Sequence, residues 1–92
     1  MVRDLSIVVP DTLSAAIIRG TIQAAAADGA APLLGVAFFD RYQGKGVRAG
    51  AVSVSVRLTF QAPDRTLTDA EVQDAMTVVL AALRDTHAAT QR

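Results

Sequence analysis

The chain contains no cysteine, which excludes disulfides, iron-sulfur clusters and thiolate metal sites. Its single histidine, His87, would leave any zinc centre to carboxylates, and no acidic cluster suggests one. His87 falls near the end of a helical pattern and reads as an exposed last-turn histidine favoured by the helix dipole. No apolar run approaches the roughly 18 residues that cross a bilayer. The opening "MVRDLSIVVPD" also lacks the long apolar segment of a secretion signal. The expectation is a soluble, cytoplasmic chain with no membrane partner. Net charge is lacking too: nine cations balance nine acids, unlike a domain that coats a wide phosphate surface.

With 92 residues, the chain buries only about 60 to 65% of its unfolded surface, so one core and a single domain over residues 1–92 are expected. Half the residues are hydrophobic, but much of that is alanine, which concentrates the large packing groups in a few elements. Charge is unevenly placed. Arg41, Lys45, Arg48 and Arg57 collect with no acid between Arg41 and Pro63, and Asp64, Asp69, Glu71 and Asp74 follow at once. A polyanion should therefore approach one side only.

In "RDLSIVV", Leu5, Ile7 and Val9 alternate with Asp4, Ser6 and Val8, the period of a half-buried strand that Pro10 stops. Asp11 or Thr12 then offers a cap to a helix whose Leu13, Ile17, Ile18 and Ile22 recur at helical spacing. Asp28, Gly29 and Pro32 form its terminator. Gly20 within it costs about 1 kcal/mol of helix propensity, so a close approach of helix to sheet is expected there. A second strand begins near Leu33 or Leu34 and runs through "FFDRY". The third, "VSVSVRLTF", points Val52, Val54, Val56, Leu58 and Phe60 one way and Ser53, Ser55, Arg57 and Thr59 the other. Glycines at 44, 46 and 50 make a hairpin between them. "TDAE", residues 68–71, is a capping box that opens a second helix. Val72, Met76, Val79, Leu80 and Leu83 form its buried stripe. The final "THAATQR" is left as a possible brief edge strand.

Two helices with one apolar stripe each are both buried when they lie on the same face of an antiparallel sheet. The fold class is therefore α+β, a ferredoxin-like split βαββα with an optional last strand. Its other sheet face is left to water, lined by Ser53, Ser55, Arg57 and Thr59. Function should be sought on that face.

The chemistry available is limited. "GKGVRAG" lacks the spacing and the following helix of a Walker loop, so its Lys45 and Arg48 are either phosphate-touching residues on a mobile hairpin tip or bystanders to a glycine turn. No carboxylate pair has an apolar setting, and no nucleophile has an identifiable base. Ser53 and Ser55 read as outward strand residues. Asp4 and Arg57 form either a cross-strand ion pair or contacts to RNA. Phe38 and Phe39 take opposite faces of a regular strand, one in the core and one as an exposed stacking platform. A bulge at Asp40 would reverse the parity beyond it and leaves Tyr42 undecided.

The segments "FFDRYQGKG", "VSVRLTFQAPDRTLTDAEV" and "VVLAALR", with "RDLSIVV" before them, resemble the ferredoxin-fold anticodon-binding domain at the C-terminus of the bacterial phenylalanyl-tRNA synthetase beta subunit. The resemblance covers nearly the whole chain and is most specific in its middle third. It implies contact with the anticodon stem-loop of phenylalanine tRNA and no active site within this chain. It also implies a piece of a longer subunit, with the remaining beta-subunit domains and the alpha subunit as partners. ATP and magnesium would belong to the catalytic module of that assembly. On this resemblance, RNA contact falls to Arg3, Asp4 and Ser6 on the first strand, Phe39 and Arg41 on the second, Ser53, Ser55 and Arg57 on the third, and Lys45 and Arg48 in the hairpin. Two departures stand out. Family members commonly end in a glycine turn and a short strand, which "DTHAATQR" lacks a glycine to make, and the family hairpin is often acidic or mixed where "GKGVRAG" is basic.

Two other classes fit the order of elements. A small-molecule regulatory domain of the ACT type would want a glycine-rich first turn, where "VVPDTL" stands instead. A structural module would use the open sheet to pack against another domain. Acylphosphatase chemistry needs an asparagine, and the chain has none.

Overall fold

The computed structural model describes residues 1–27 and 31–91. Its elements are β1 (Val2–Pro10), α1 (Ala15–Ala27), β2 (Leu33–Tyr42), β3 (Ala51–Phe60), α2 (Asp69–His87) and β4 (Thr90–Gln91). They form one four-stranded sheet in the order β2-β3-β1-β4, with every neighbouring pair antiparallel. This is the ferredoxin-like α+β arrangement expected from two apolar helix stripes and one sheet.

The alternation of β3 decides how the layers stack. Val52, Val54, Val56, Leu58 and Phe60 are buried beside Leu5, Ile7 and Val9 of the paired β1. Against them pack Ile18, Ile22 and Ala26 of α1 and Val72, Ala75, Met76, Val79 and Leu83 of α2, in one hydrophobic cluster. Each large group taken fully from water contributes about 1.5 to 3 kcal/mol before entropy is counted. That burial fixes both helices on one side and leaves the opposite side of the sheet uncovered.

Helix α2 starts as its capping box dictates. The Thr68 hydroxyl accepts from the Glu71 amide at 3.2 Å, and the Glu71 carboxylate accepts from the Thr68 amide at 3.2 Å. Its end is less usual. Ala88 stands in the left-handed region at φ 54°, and its amide donates to the Arg84 carbonyl. Alanine thus occupies the position where glycine is favoured, and the turn still delivers Thr90 and Gln91 to β1 opposite Val8 and Ile7. The fourth strand exists, although it is only two residues long.

Several expectations for the helices need correction. The first cap is neither Asp11 nor Thr12 but Ser14, whose hydroxyl accepts from the Ile17 amide at 3.2 Å. Pro10 and Leu13 close a turn first, with the Leu13 amide donating to the Pro10 carbonyl, and this delays the helix by two residues. Ile17 consequently faces outward, 52% exposed, while Ile18 and Ile22 carry the stripe. Gly20 is exposed, and a Cβ placed on it would meet nothing within 4 Å, so no close approach explains it. Of the expected terminator, Asp28 and Gly29 lie outside the described residues. His87 is half-buried rather than simply exposed, with Nε2 2.6 Å from the Thr21 hydroxyl of α1.

Candidate nucleic-acid interface

Because β3 sits between β1 and β2, its outward residues form the middle of the open face. Each has a cross-strand neighbour on both sides. Arg57 lies opposite Asp4 and Ala37, Ser55 opposite Ser6 and Asp40, and Ser53 opposite Val8 and Tyr42. Directly opposed residues share a face, so these rows can be read as a surface.

The central row is the most ordered. Asp4 Oδ1 accepts from Arg57 Nε at 2.8 Å, and Asp4 Oδ2 accepts from Arg57 Nη2 at 3.0 Å. The Arg57 Cζ lies 5.1 Å from the centroid of the Phe39 ring, within cation-π range. Three strands therefore contribute one group each to a planar cation held at its edge by a carboxylate and on its face by a ring. The hydrogen bond from Arg57, followed by its charge, holds the Asp4 carboxyl below its ordinary range. The same contact raises the Arg57 guanidinium above its own. Both side chains are about half-exposed, so water screens the pair and its role is orientation more than stability. Phe39 itself is 52% exposed. Next to this row, the hydroxyls of Ser6 and Ser55 are 2.9 Å apart.

Two irregularities in β2 decide what else reaches the face. The pairing with β3 slips between Leu33 and Gly35 and again between Phe38 and Asp40. At the second slip the Asp40 carboxylate accepts from the Arg41 amide at 2.9 Å, the kind of local side-chain bond that competes with the ladder. Phe38 packs half-buried on the core side, opposite Val56, with Arg19 of α1 5.4 Å from its ring. Beyond the extra residue parity is reversed. Asp40 and Tyr42 come to the open face opposite Ser55 and Ser53, whereas Arg41 comes opposite the buried Val54. There Arg41 helps line a recess with Ala15 and Ile18 of α1.

The expected contact residues are thus only partly gathered. Asp4, Ser6, Phe39, Ser55 and Arg57 share the open face. Arg41 is carried to the helix side by the bulge. Arg3 is also on the helix side, opposite the buried Leu58, where its Nη2 donates to Asp69 Oδ1 at 3.3 Å. Ser53 points to the open side but is only 4% exposed, flanked by Tyr42 and Val8. Lys45 and Arg48 are exposed in the hairpin at the Tyr42 end of the face. Sequence reasoning missed Asp40 as a face residue and left Tyr42 unassigned. The phenylalanine pair followed by aspartate was the available signal for the bulge.

The hairpin itself is built by glycine. Gly44, Gly46 and Gly50 take φ of 132°, 90° and 79°, conformations that side chains rarely adopt. Within it the Tyr42 hydroxyl donates to the Lys45 carbonyl at 2.9 Å, and the Val47 amide donates to the Gly44 carbonyl at 3.0 Å. Gly44 lies beside the Tyr42 hydroxyl, which its Cβ would approach to 3.6 Å. The far end is tied to the first turn, since the Asp11 amide donates to the Gly50 carbonyl at 3.0 Å.

Among the described residues no group of three metal-ligating side chains gathers, and no helix is long and apolar enough to cross a membrane. What the surface offers is a ring, a guanidinium, a carboxylate and hydroxyls on a rigid sheet.

Comparison with known proteins identifies the family. The family described as "Ferredoxin-fold anticodon binding domain" matches residues 1–92. The phenylalanine-tRNA ligase beta subunit of Moorella thermoacetica is 43% identical over 90 residues, covering 98% of this chain and 11% of that protein. That of Synechococcus sp. (strain JA-3-3Ab) is 48% identical over 82 residues, 88% of this chain and 10% of that protein. The Thermosynechococcus vestitus beta subunit is 41% identical over 90 residues, 98% of this chain and 11% of that protein. The chain therefore spans about a tenth of the length of the curated relatives it matches. With a full-length family match, a split βαββαβ sheet and one uncovered sheet face, this chain belongs to the ferredoxin-fold anticodon-binding domain family.

Proposed function

We propose that this domain recognises the anticodon stem-loop of a phenylalanine tRNA on its open sheet face and so supports aminoacylation carried out elsewhere in the assembly. The observation that carries the reading is the row Phe39, Arg57 and Asp4. Unstacked loop bases are held by stacking on aromatic rings or guanidinium planes and read by polar groups at their edges, and this row supplies both on neighbouring strands. Asp4 engages Nε and Nη2 of Arg57, and among the described residues Nη1 makes no hydrogen bond. Phe39 offers its outer face. The Ser6 and Ser55 hydroxyls and the Asp40 carboxylate lie in the adjoining row and suit contacts to base edges or ribose.

The relatives named above are ligase beta subunits, and on that footing the partners of this domain are the tRNA, the other beta-subunit domains and an alpha subunit, all in the cytoplasm. ATP and magnesium act in the catalytic module, and this domain needs neither. Titration of a labelled phenylalanine-type anticodon stem-loop at low salt tests the reading, with Phe39→Ala and Arg57→Ala beside the parent. Weaker binding by both variants supports it. Equal binding by all three proteins, or a thermal shift with free amino acids and none with RNA, overturns it.

A further inference from the structure

We propose that the hairpin end of the sheet is a phosphate clamp that straddles the sheet edge, so that an RNA whose bases lie on the open face runs its sugar-phosphate chain around that end towards the helix side. This rests on the proposed function.

The carrying observation is which cations have partners. Arg3 pairs with Asp69, Arg57 with Asp4, Arg65 with Glu71 and Arg84 with Asp85. Arg19 donates to the Val36 carbonyl and lies over Phe38. Among the described residues, the side chains of Arg41, Lys45 and Arg48 alone of the Lys and Arg set make no hydrogen bond, ion pair or ring contact. The nearby acids are engaged otherwise, Asp40 with the Arg41 amide and Asp11 with Gln43. A domain of zero net charge thus gathers three cations without side-chain partners at one end, beside the carboxylates of Asp40 and Asp11, which accept only from neutral donors. Exposed like charges repel unless a counter-charge joins them.

Their placement gives the path. Tyr42 stands on the open face and binds the Lys45 carbonyl, which brings the hairpin tip to that side. The bulge turns Arg41, one residue before Tyr42, to the other side, opposite Val54. Cations on both sides of one sheet end suit a chain of phosphates passing over it. A flat strand lying along the open face would pass the hairpin tip at Lys45 but would not reach Arg41.

Each phosphate neutralised on single-stranded RNA contributes about 0.7 to the slope of log affinity against log salt. The test is fluorescence anisotropy with a labelled anticodon stem-loop between about 50 and 200 mM KCl, using the parent, Arg41→Gln, Lys45→Gln, Arg48→Gln, Phe39→Ala and a distant Arg84→Gln control. The clamp requires each of the three hairpin-end variants to lower the slope by about 0.7, shrinking the salt-induced loss over that range roughly two- to threefold. Arg84→Gln keeps the parent slope, and Phe39→Ala weakens binding with its slope unchanged. Parent slopes in Lys45→Gln and Arg48→Gln, with Phe39→Ala still weakened, would overturn the clamp and leave the open-face reading standing. A parent slope in Arg41→Gln alone would refute the path around the sheet end. An equal effect from Arg84→Gln reduces the clamp to diffuse net charge, and a parent that binds no RNA at any salt removes both proposals.

Discussion

Arg57 and Phe39 meet on the open face: Phe39 alternates with the core-facing Phe38, and its ring centroid lies 5.1 Å from the Arg57 guanidinium carbon. Stacking on an exposed ring is worth about 1 to 3 kcal/mol per base. Phe39→Ala should therefore weaken stem-loop binding roughly five- to hundredfold. Thermal stability should hardly change, because the ring is already half in water and surface substitutions usually stay within about 0.5 kcal/mol. Anisotropy titration and thermal unfolding of the same preparations check both halves.

Asp4 should respond to pH through its partner. Its carboxyl is held below its ordinary range by the Arg57 hydrogen bond and charge. A depressed folded-state value means that the pair's contribution is complete above the unfolded carboxylate range and is lost as pH falls through the lower, folded value. Carboxyl titration by NMR should find Asp4 below ordinary aspartates, and Arg57→Ala should return it towards them. An unchanged Asp4 midpoint in Arg57→Ala would mean that the pair is absent in solution.

At the end of α2, Ala88 bears a left-handed φ of 54° that costs an L-residue roughly 1 to 2 kcal/mol. Glycine removes this strain but adds freedom to the unfolded chain worth about 0.4 to 1 kcal/mol. Ala88→Gly should stabilise the domain by about 0.5 to 1 kcal/mol, read as a higher urea midpoint at constant slope.

Ser14 and Thr12 separate the observed helix start from the expected one. Ser14→Ala removes the hydroxyl that accepts from the Ile17 amide and should cost about 1 kcal/mol. Thr12→Ala should cost little, since Thr12 is exposed in the preceding turn. Chemical denaturation of the two variants decides which residue caps α1. Thr68→Ala, at the other cap, provides a reference of similar size.

Much of this fold was legible because burial has a strict period. The run from Val52 to Phe60 could satisfy its alternation only as a strand with one wet face, and the threonine-to-glutamate spacing at residues 68 and 71 fixed where α2 begins. Arg3 was legible as well, since it shares the parity of Leu5 and Ile7 and hence their side of the sheet. The family likeness alone put it on the open face. The placement of Arg41 and Tyr42 was legible only as the alternative that a bulge at Asp40 would produce. It depends on one unpaired residue in β2, which leaves the composition of the strand unaltered while exchanging the faces of everything after it. Likewise β4 was hidden, because its turn uses alanine where a glycine would have announced it.

The irregular outer strand has a further effect. β2 lies at the margin of the sheet, where a straight ten-residue strand would present a continuous ladder of amides and carbonyls to any neighbouring chain. Interruptions at Leu34 and Phe39 break that ladder into short, twisted pieces. The same extra residues that exchange the faces of Arg41 and Tyr42 thus make this margin a poor template for amyloid-like stacking, a safeguard for a strand that carries the exposed Leu34 and Phe39.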